Sequence, residues 1–113
     1  MKIVNCTPHR LNILDDHENE VMVVEPSGQI ARVNMGSEIC GEVFGFTLSK
    51  VTIGDIEGLP PYEDDTIIIT SSMVEAQTSR QDVYSPGALV RDESGKPIGC
   101  QGLKQTAPQN QGI

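Results

Sequence analysis

Three places in this sequence combine side-chain types and spacing that could do chemistry. The first is Asn5-Cys6-Thr7-Pro8-His9-Arg10. Thr-Pro-His at the end of a strand fixes the backbone and sets an imidazole beside the Arg10 guanidinium. His9 could there serve as a hydrogen-bond partner, a proton carrier or a stacking surface. The competing reading is a turn in which Thr7 and His9 only tie down the loop. The second is Thr70-Ser71-Ser72, where a strand gives way to a helix, followed by Arg80 and Asp82. A helix start offers free N–H groups and partial positive charge, the hydroxyls of Ser71 and Ser72 add donors, and Arg80 could clamp the same anion. The alternative is that Ser72 only caps and Arg80-x-Asp82 is a local ion pair. Tyr84, just beyond, is the aromatic best placed to stack on a bound base. The third is Arg91 at a strand end, facing either a cleft or a surface partner in Asp92 or Glu93.

Other chemistries lack their residues. The sequence has no G-x-x-x-x-G-K or G-x-G-x-x-G phosphate loop and no G-x-S-x-G elbow. His17, the second histidine, sits in the acidic turn Asp15–Asn19 and not at metal-ligand spacing from His9. Cys6, Cys40 and Cys100 form no C-x-x-C. The expectation is therefore no metal, no cofactor and no assigned catalytic residue. An enzyme is possible in principle but not indicated. The cysteines read as three reduced, buried thiols in a cytoplasmic protein.

The elements that must position these residues are short and β-like. Lys2–Cys6, Leu11–Leu14, Glu20–Glu25 and Gln29–Met35 read as strands between polar turns. Glu42–Ile53 is the longest such stretch. Gly45 suggests a bulge in it, and Lys50–Ile53 a separate strand after a bend. Thr66–Thr70, rich in β-branched residues, reads as a central strand buried on both faces. Ser72-Met73-Val74-Glu75 matches the S-x-x-E capping box and opens a helix reaching about Ser79, with Met73, Ala76 and Gln77 on one face. Two turns of helix are unstable alone, so this helix must pack on the sheet. Pro86-Gly87 reads as a turn. Ala88–Arg91 and Pro97–Leu103 flank a short loop as a hairpin. The expected fold is mostly β (α+β): an antiparallel sheet or small barrel with one short helix packed on it. Residues 1–104 form one domain, and 105–113 a flexible tail or an oligomer arm.

Composition narrows the partners. Eight Lys and Arg stand against sixteen Asp and Glu among 113 residues, a net charge of −8. Such a surface repels nucleic-acid polymers and anionic membranes, and no apolar run is long enough to span a bilayer. A small anionic ligand held in a local basic pocket remains compatible with this balance.

The motifs N-x-T-P-H, P-S-G with A-R-V, G-D-I-E-G-L-P, T-I-I-I-T-S-S, R-x-D-V-Y-S-P-G and V-R-D-x-x-G-x-x-I-G-C-x-G-L run through nearly the whole chain. Together they resemble a group of small proteins of phages and prophages. The resemblance implies an origin more than an activity. It suggests an anti-defence protein of the host cytoplasm, forming homo-oligomers, that binds and sequesters a nucleotide-derived signal without chemistry. The ligand contacts would come from His9, Arg10, Ser71, Ser72, Arg80, Asp82, Tyr84 and Arg91. The alternatives are an enzyme cleaving such a nucleotide with His9 as acid or base, and a structural or protein-inhibiting phage component.

Overall fold

The computed structural model describes residues 1–106. The chain runs β1 (Lys2–Asn5), β2 (Leu11–Leu14), β3 (Glu20–Val24), β4 (Arg32–Val43), β5 (Phe46–Glu57), β6 (Thr66–Ile69), α1 (Ser72–Gln77), β7 (Val83–Arg91) and β8 (Pro97–Lys104). The fold is mostly β with one short helix. Six strands form a sheet in the order β1-β6-β7-β8-β2-β3. It nearly closes into a barrel. An isolated bridge joins Asn5 to Pro26, and the Ser27 and Ala31 amides donate to the Asn5 and Cys6 carbonyls at 2.9 and 3.0 Å.

The pairing is mixed. β1–β6, β6–β7 and β2–β8 run parallel, while β7–β8 and β2–β3 run antiparallel. The helix makes the β6–β7 pair possible, because parallel neighbours need a crossover connection. As the sequence suggested, Thr66–Ile69 is an interior strand, flanked by β1 and β7, and Ile68 and Ile69 are buried. Cys6, Ala31, Ile68 and Val74 form the centre of the core, with Val4, Val33, Ile56 and Leu59 packed on it.

Several local expectations are corrected. The helix is capped by Ser71, not Ser72: the Val74 amide donates to Ser71 Oγ at 3.3 Å. The sheet sets this register, because the Thr70 amide still donates to the Tyr84 carbonyl at 2.8 Å and the chain leaves the strand only after it. The one-residue shift turns Val74 and Glu75 inward, while Met73, Ala76 and Gln77 are exposed. Glu75 thus faces the interior, and the helix ends at Gln77 with Thr78 as its C-cap. Pro86-Gly87 is not a turn but lies within β7. β6 pairs with β7 only at Val83 and Tyr84, so from Ser85 onward that edge of β7 is free of β6 and tolerates a residue without an N–H.

The stretch from Glu42 to Ile53 is not one bulged strand. It turns back at Phe44-Gly45, where both φ angles are positive, at 49° and 82°. That is the signature of a two-residue type I′ hairpin turn. β4 and β5 thereby form a separate two-stranded sheet of twelve residues a side, exposed along most of its length. Only its base, at Val33 and Ile56, joins the core. The radius of gyration is 17.1 Å, against about 13 Å for a compact chain of this length. Cys40 sits on this arm and is exposed, whereas Cys6 and Cys100 are buried as expected.

In the segment read as a tail, Gln105 and Thr106 are held to the body. Gln105 Nε2 donates to the Gln81 and Val83 carbonyls at 2.7 and 3.0 Å. The Thr106 amide and hydroxyl donate to Glu75 at 2.6 and 2.9 Å. Residues 107–113 of that expectation lie outside the described residues. No helix among the described residues is long and apolar enough to cross a membrane.

Candidate functional site

The turn after β1 is a hydrogen-bonded knot. Asn5 Oδ1 accepts from the Thr7 amide at 2.9 Å and the Thr7 hydroxyl at 2.7 Å. Asn5 Nδ2 donates to the carbonyls of His9 at 2.8 Å and Val24 at 3.1 Å. Asn5 and Thr7 are both buried, and each polar atom has a partner. The tie-down reading therefore holds for the side chain of Thr7 but not for that of His9, which is held through its backbone alone. Its imidazole is a different matter: it is exposed and hydrogen-bonds to none of the described residues.

That imidazole borders an open cleft of about 1020 Å³. The walls are Thr7–Asn12, Ser71-Ser72, Pro86–Leu89 and Pro97–Cys100, with Lys104 at one side. The topology makes the opening. β1 and β6 are parallel neighbours, so the loops leaving their carboxyl ends, Cys6–Arg10 and Thr70–Ser72, emerge side by side. β7 meanwhile runs on past the end of β6 to pair with β8. A crevice outside the carboxyl ends of parallel strands is where ligands bind in open α/β sheets. Backbone forms part of the floor. An added Cβ at Gly99 would lie 2.5 Å from the Asn12 carbonyl oxygen, so only glycine lets these segments approach so closely.

The charge of the lining is lopsided. Arg10, Lys104 and His9 border the cleft, and no Asp or Glu does, in a chain where acids outnumber Lys and Arg two to one. Among the described residues Arg10 makes only a long, exposed ion-pair contact, to Glu25 at 3.9 Å. Cys100 lies at the cleft too, and burial pushes its thiol pKa up, which disfavours a nucleophilic thiolate. Pro86, Ala88, Leu89, Pro97 and Ile98 give the rest an apolar character. An anion with an attached apolar or planar portion is the chemistry this arrangement can hold.

Of the residues singled out from sequence, His9, Arg10, Ser71 and Ser72 meet at this cleft. Ser71 spends its hydroxyl oxygen on the cap. A six-residue helix adds little dipole of its own. Arg80, Asp82, Tyr84 and Arg91 lie outside the lining. Arg80 forms a two-pronged bond to Asp82, Nε to Oδ1 at 3.0 Å and Nη2 to Oδ2 at 2.7 Å, and gives Nη1 to the Pro60 carbonyl at 2.9 Å. The Arg80 bonds hold the Asp82 carboxyl below its usual range and raise the Arg80 pKa. The local ion-pair reading describes this pair. Tyr84 is half-buried on β7. Arg91 donates to the Gly95 carbonyl at 2.8 Å within its hairpin turn, rather than to Asp92 or Glu93.

Sequence reasoning missed Lys104, Asn12 and the β7–β8 wall. Lys104 carries no local signal, being one lysine at the end of an alternating strand. Only its pairing opposite Ser85 brings it to the cleft. Among the described residues no three His, Cys, Asp or Glu side chains gather as a metal site. No family model matches this chain, and no curated protein or solved structure does either.

Proposed function

We propose that this protein binds a small anionic, nucleotide-like ligand in the cleft between the β1 and β6 loops and holds it without chemistry. The observation that carries the reading is the cleft's lining: Arg10, Lys104 and His9 with no carboxylate among the described residues, in a chain of net charge −8. Arg10 and Lys104 would meet the anionic groups, and Leu89, Ile98 and the prolines the apolar or planar part. The volume suits a ligand of nucleotide size, since small-molecule sites run to about 300–1,000 Å³. Binding is favoured over cleavage by what surrounds His9. No acid lines the cleft to orient its ring, and the Ser71 oxygen is already committed. The resemblance to small phage proteins extends the proposal to sequestering a nucleotide-derived defence signal in the host cytoplasm.

Isothermal titration against nucleoside monophosphates, cyclic dinucleotides and cyclic ADP-ribose isomers tests it. At least one should bind, and Arg10→Ala and Lys104→Ala should each weaken that binding tenfold or more. No heat across the set, or binding indifferent to both substitutions, refutes the site. Ligand recovered intact after heating the complex distinguishes holding from turnover.

A further inference from the structure

The β4–β5 arm is long, exposed and apolar in a particular pattern. Cross-strand partners share a face. On one face lie Met35 opposite Ile53, Ser37 opposite Val51 and Ile39 opposite Ser49. The other face carries Gly36 opposite Thr52 and Glu38 opposite Lys50, and is polar over the same length. Between Ile39 and Gly41 the register shifts by one residue. Beyond that bulge Gly41 opposite Leu48 and Val43 opposite Phe46 fall on the second face, which becomes the apolar one. A bulge also increases the right-handed twist of a ribbon. The apolar stripe therefore winds around the arm instead of lying along one side. At its end Phe44 is 96% exposed, and Ile39 and Phe46 are each 74% exposed.

Two strands alone are at best marginally stable in water, and this pair joins the core only at Val33 and Ile56. We infer that the arm is a self-association device that pairs with the same arm of a second copy, the two ribbons wrapping each other about a two-fold axis. Three observations select that occupant. A winding stripe is covered by another twisted ribbon, not by a flat surface. The area also fits. With an aromatic side chain presenting about 150–250 Å² and the aliphatic ones somewhat less, the exposed apolar groups from Met35 to Ile53 amount to roughly 900 Å² per chain. Two arms then cover about 1,800 Å², within the roughly 1,200–2,000 Å² of a stable interface. Charge points the same way. From Asn34 to Ile53 the arm carries Glu38, Glu42 and Lys50, net −1, which leaves −7 of the total −8 on the remainder. Few like charges therefore oppose each other when two arms pair.

The arm lines no part of the cleft, so this inference and the binding proposal fail separately. Light scattering on the full chain across micromolar concentrations should give a dimer, twice the 12.2 kDa chain mass. Ile39→Glu and Phe46→Glu should each raise the dimer dissociation constant at least tenfold, with the circular dichroism spectrum of the body unchanged. A spin label on Cys40, the exposed thiol, should report a discrete distance between copies in the parent and none in the Ile39→Glu variant. A monomer throughout the range, or a dimer indifferent to both substitutions, overturns the inference.

Discussion

Asp82→Asn is the substitution that separates architecture from ligand binding most sharply. The Asp82 side chain is 6% exposed and that of Arg80 29%. Asparagine keeps the shape but removes the charge and replaces one acceptor oxygen with a donor. One prong of the Arg80 fork then loses its partner, while the bond from Nη1 to Pro60 survives. Breaking a fully buried pair costs about 3–5 kcal/mol, and a hydrogen bond to a charged group contributes about 1.5–3 kcal/mol. Because Arg80 is partly open to water, which takes over some of the lost bonding, the expected cost is about 2–3 kcal/mol. For a domain of this size that lowers the melting temperature by roughly 10 °C. Thermal and urea unfolding followed by circular dichroism at pH 7 measures it.

The pH dependence of that cost has a definite sign. Arg80 depresses the Asp82 pKa in the folded protein. The pair's contribution is therefore complete above the unfolded carboxyl value of about 3.9, and is lost as pH falls through the lower folded value. The gap between parent and variant should stay flat from pH 7 to 5 and close below about 4. A difference under about 0.5 kcal/mol at pH 7, the size of an ordinary surface substitution, refutes the structural role, and so does a gap that widens in acid. Binding at the cleft should change less than twofold in the same variant. A tenfold loss would return Arg80 and Asp82 to the site.

Three further outcomes follow from the structure. Ser71→Ala should cost about 1 kcal/mol through the lost cap, while Ser72→Ala stays within about 0.5 kcal/mol; urea unfolding of both variants reads the difference, and the reverse order would restore Ser72 as the cap. Glu75→Ala leaves the Ser85 hydroxyl and the Thr106 amide and hydroxyl without their acceptor. It should cost about 2 kcal/mol and speed amide exchange at Thr106, which unchanged protection would contradict. With a thiol reagent at pH 8, Cys40 should react first. Cys6 and Cys100 should lag, because burial both hides them and raises their pKa; equal rates for all three would refute that burial.

The sequence by itself determined the strand content, the interior β6, the β7–β8 hairpin and the presence of one short capped helix. These follow from local facts: alternation, β-branched runs, turn residues and a serine before an apolar turn. It also determined that an acidic surface must keep any anion site local. It pointed to the wrong helix cap by one residue, because Ser72 has Glu75 three positions on, whereas the β6–β7 hydrogen bonds hold Thr70 in the sheet and put Ser71 at the cap. It hid the hairpin at Phe44-Gly45, since a phenylalanine with positive φ is a turn residue only in the context of two pairing strands. Half of the proposed contact residues reached the cleft, for a similar reason. His9, Arg10, Ser71 and Ser72 sit on loops leaving adjacent parallel strands, and that adjacency is a property of strand order. Arg80 and Asp82 are two residues apart and found each other first, so the pair closed on itself. Lys104 joins Arg10 only because β8 lies between β7 and β2. Type, spacing and charge are written in the chain, but which strand lies beside which is decided by packing the whole sheet around Ile68, Val74 and Cys6.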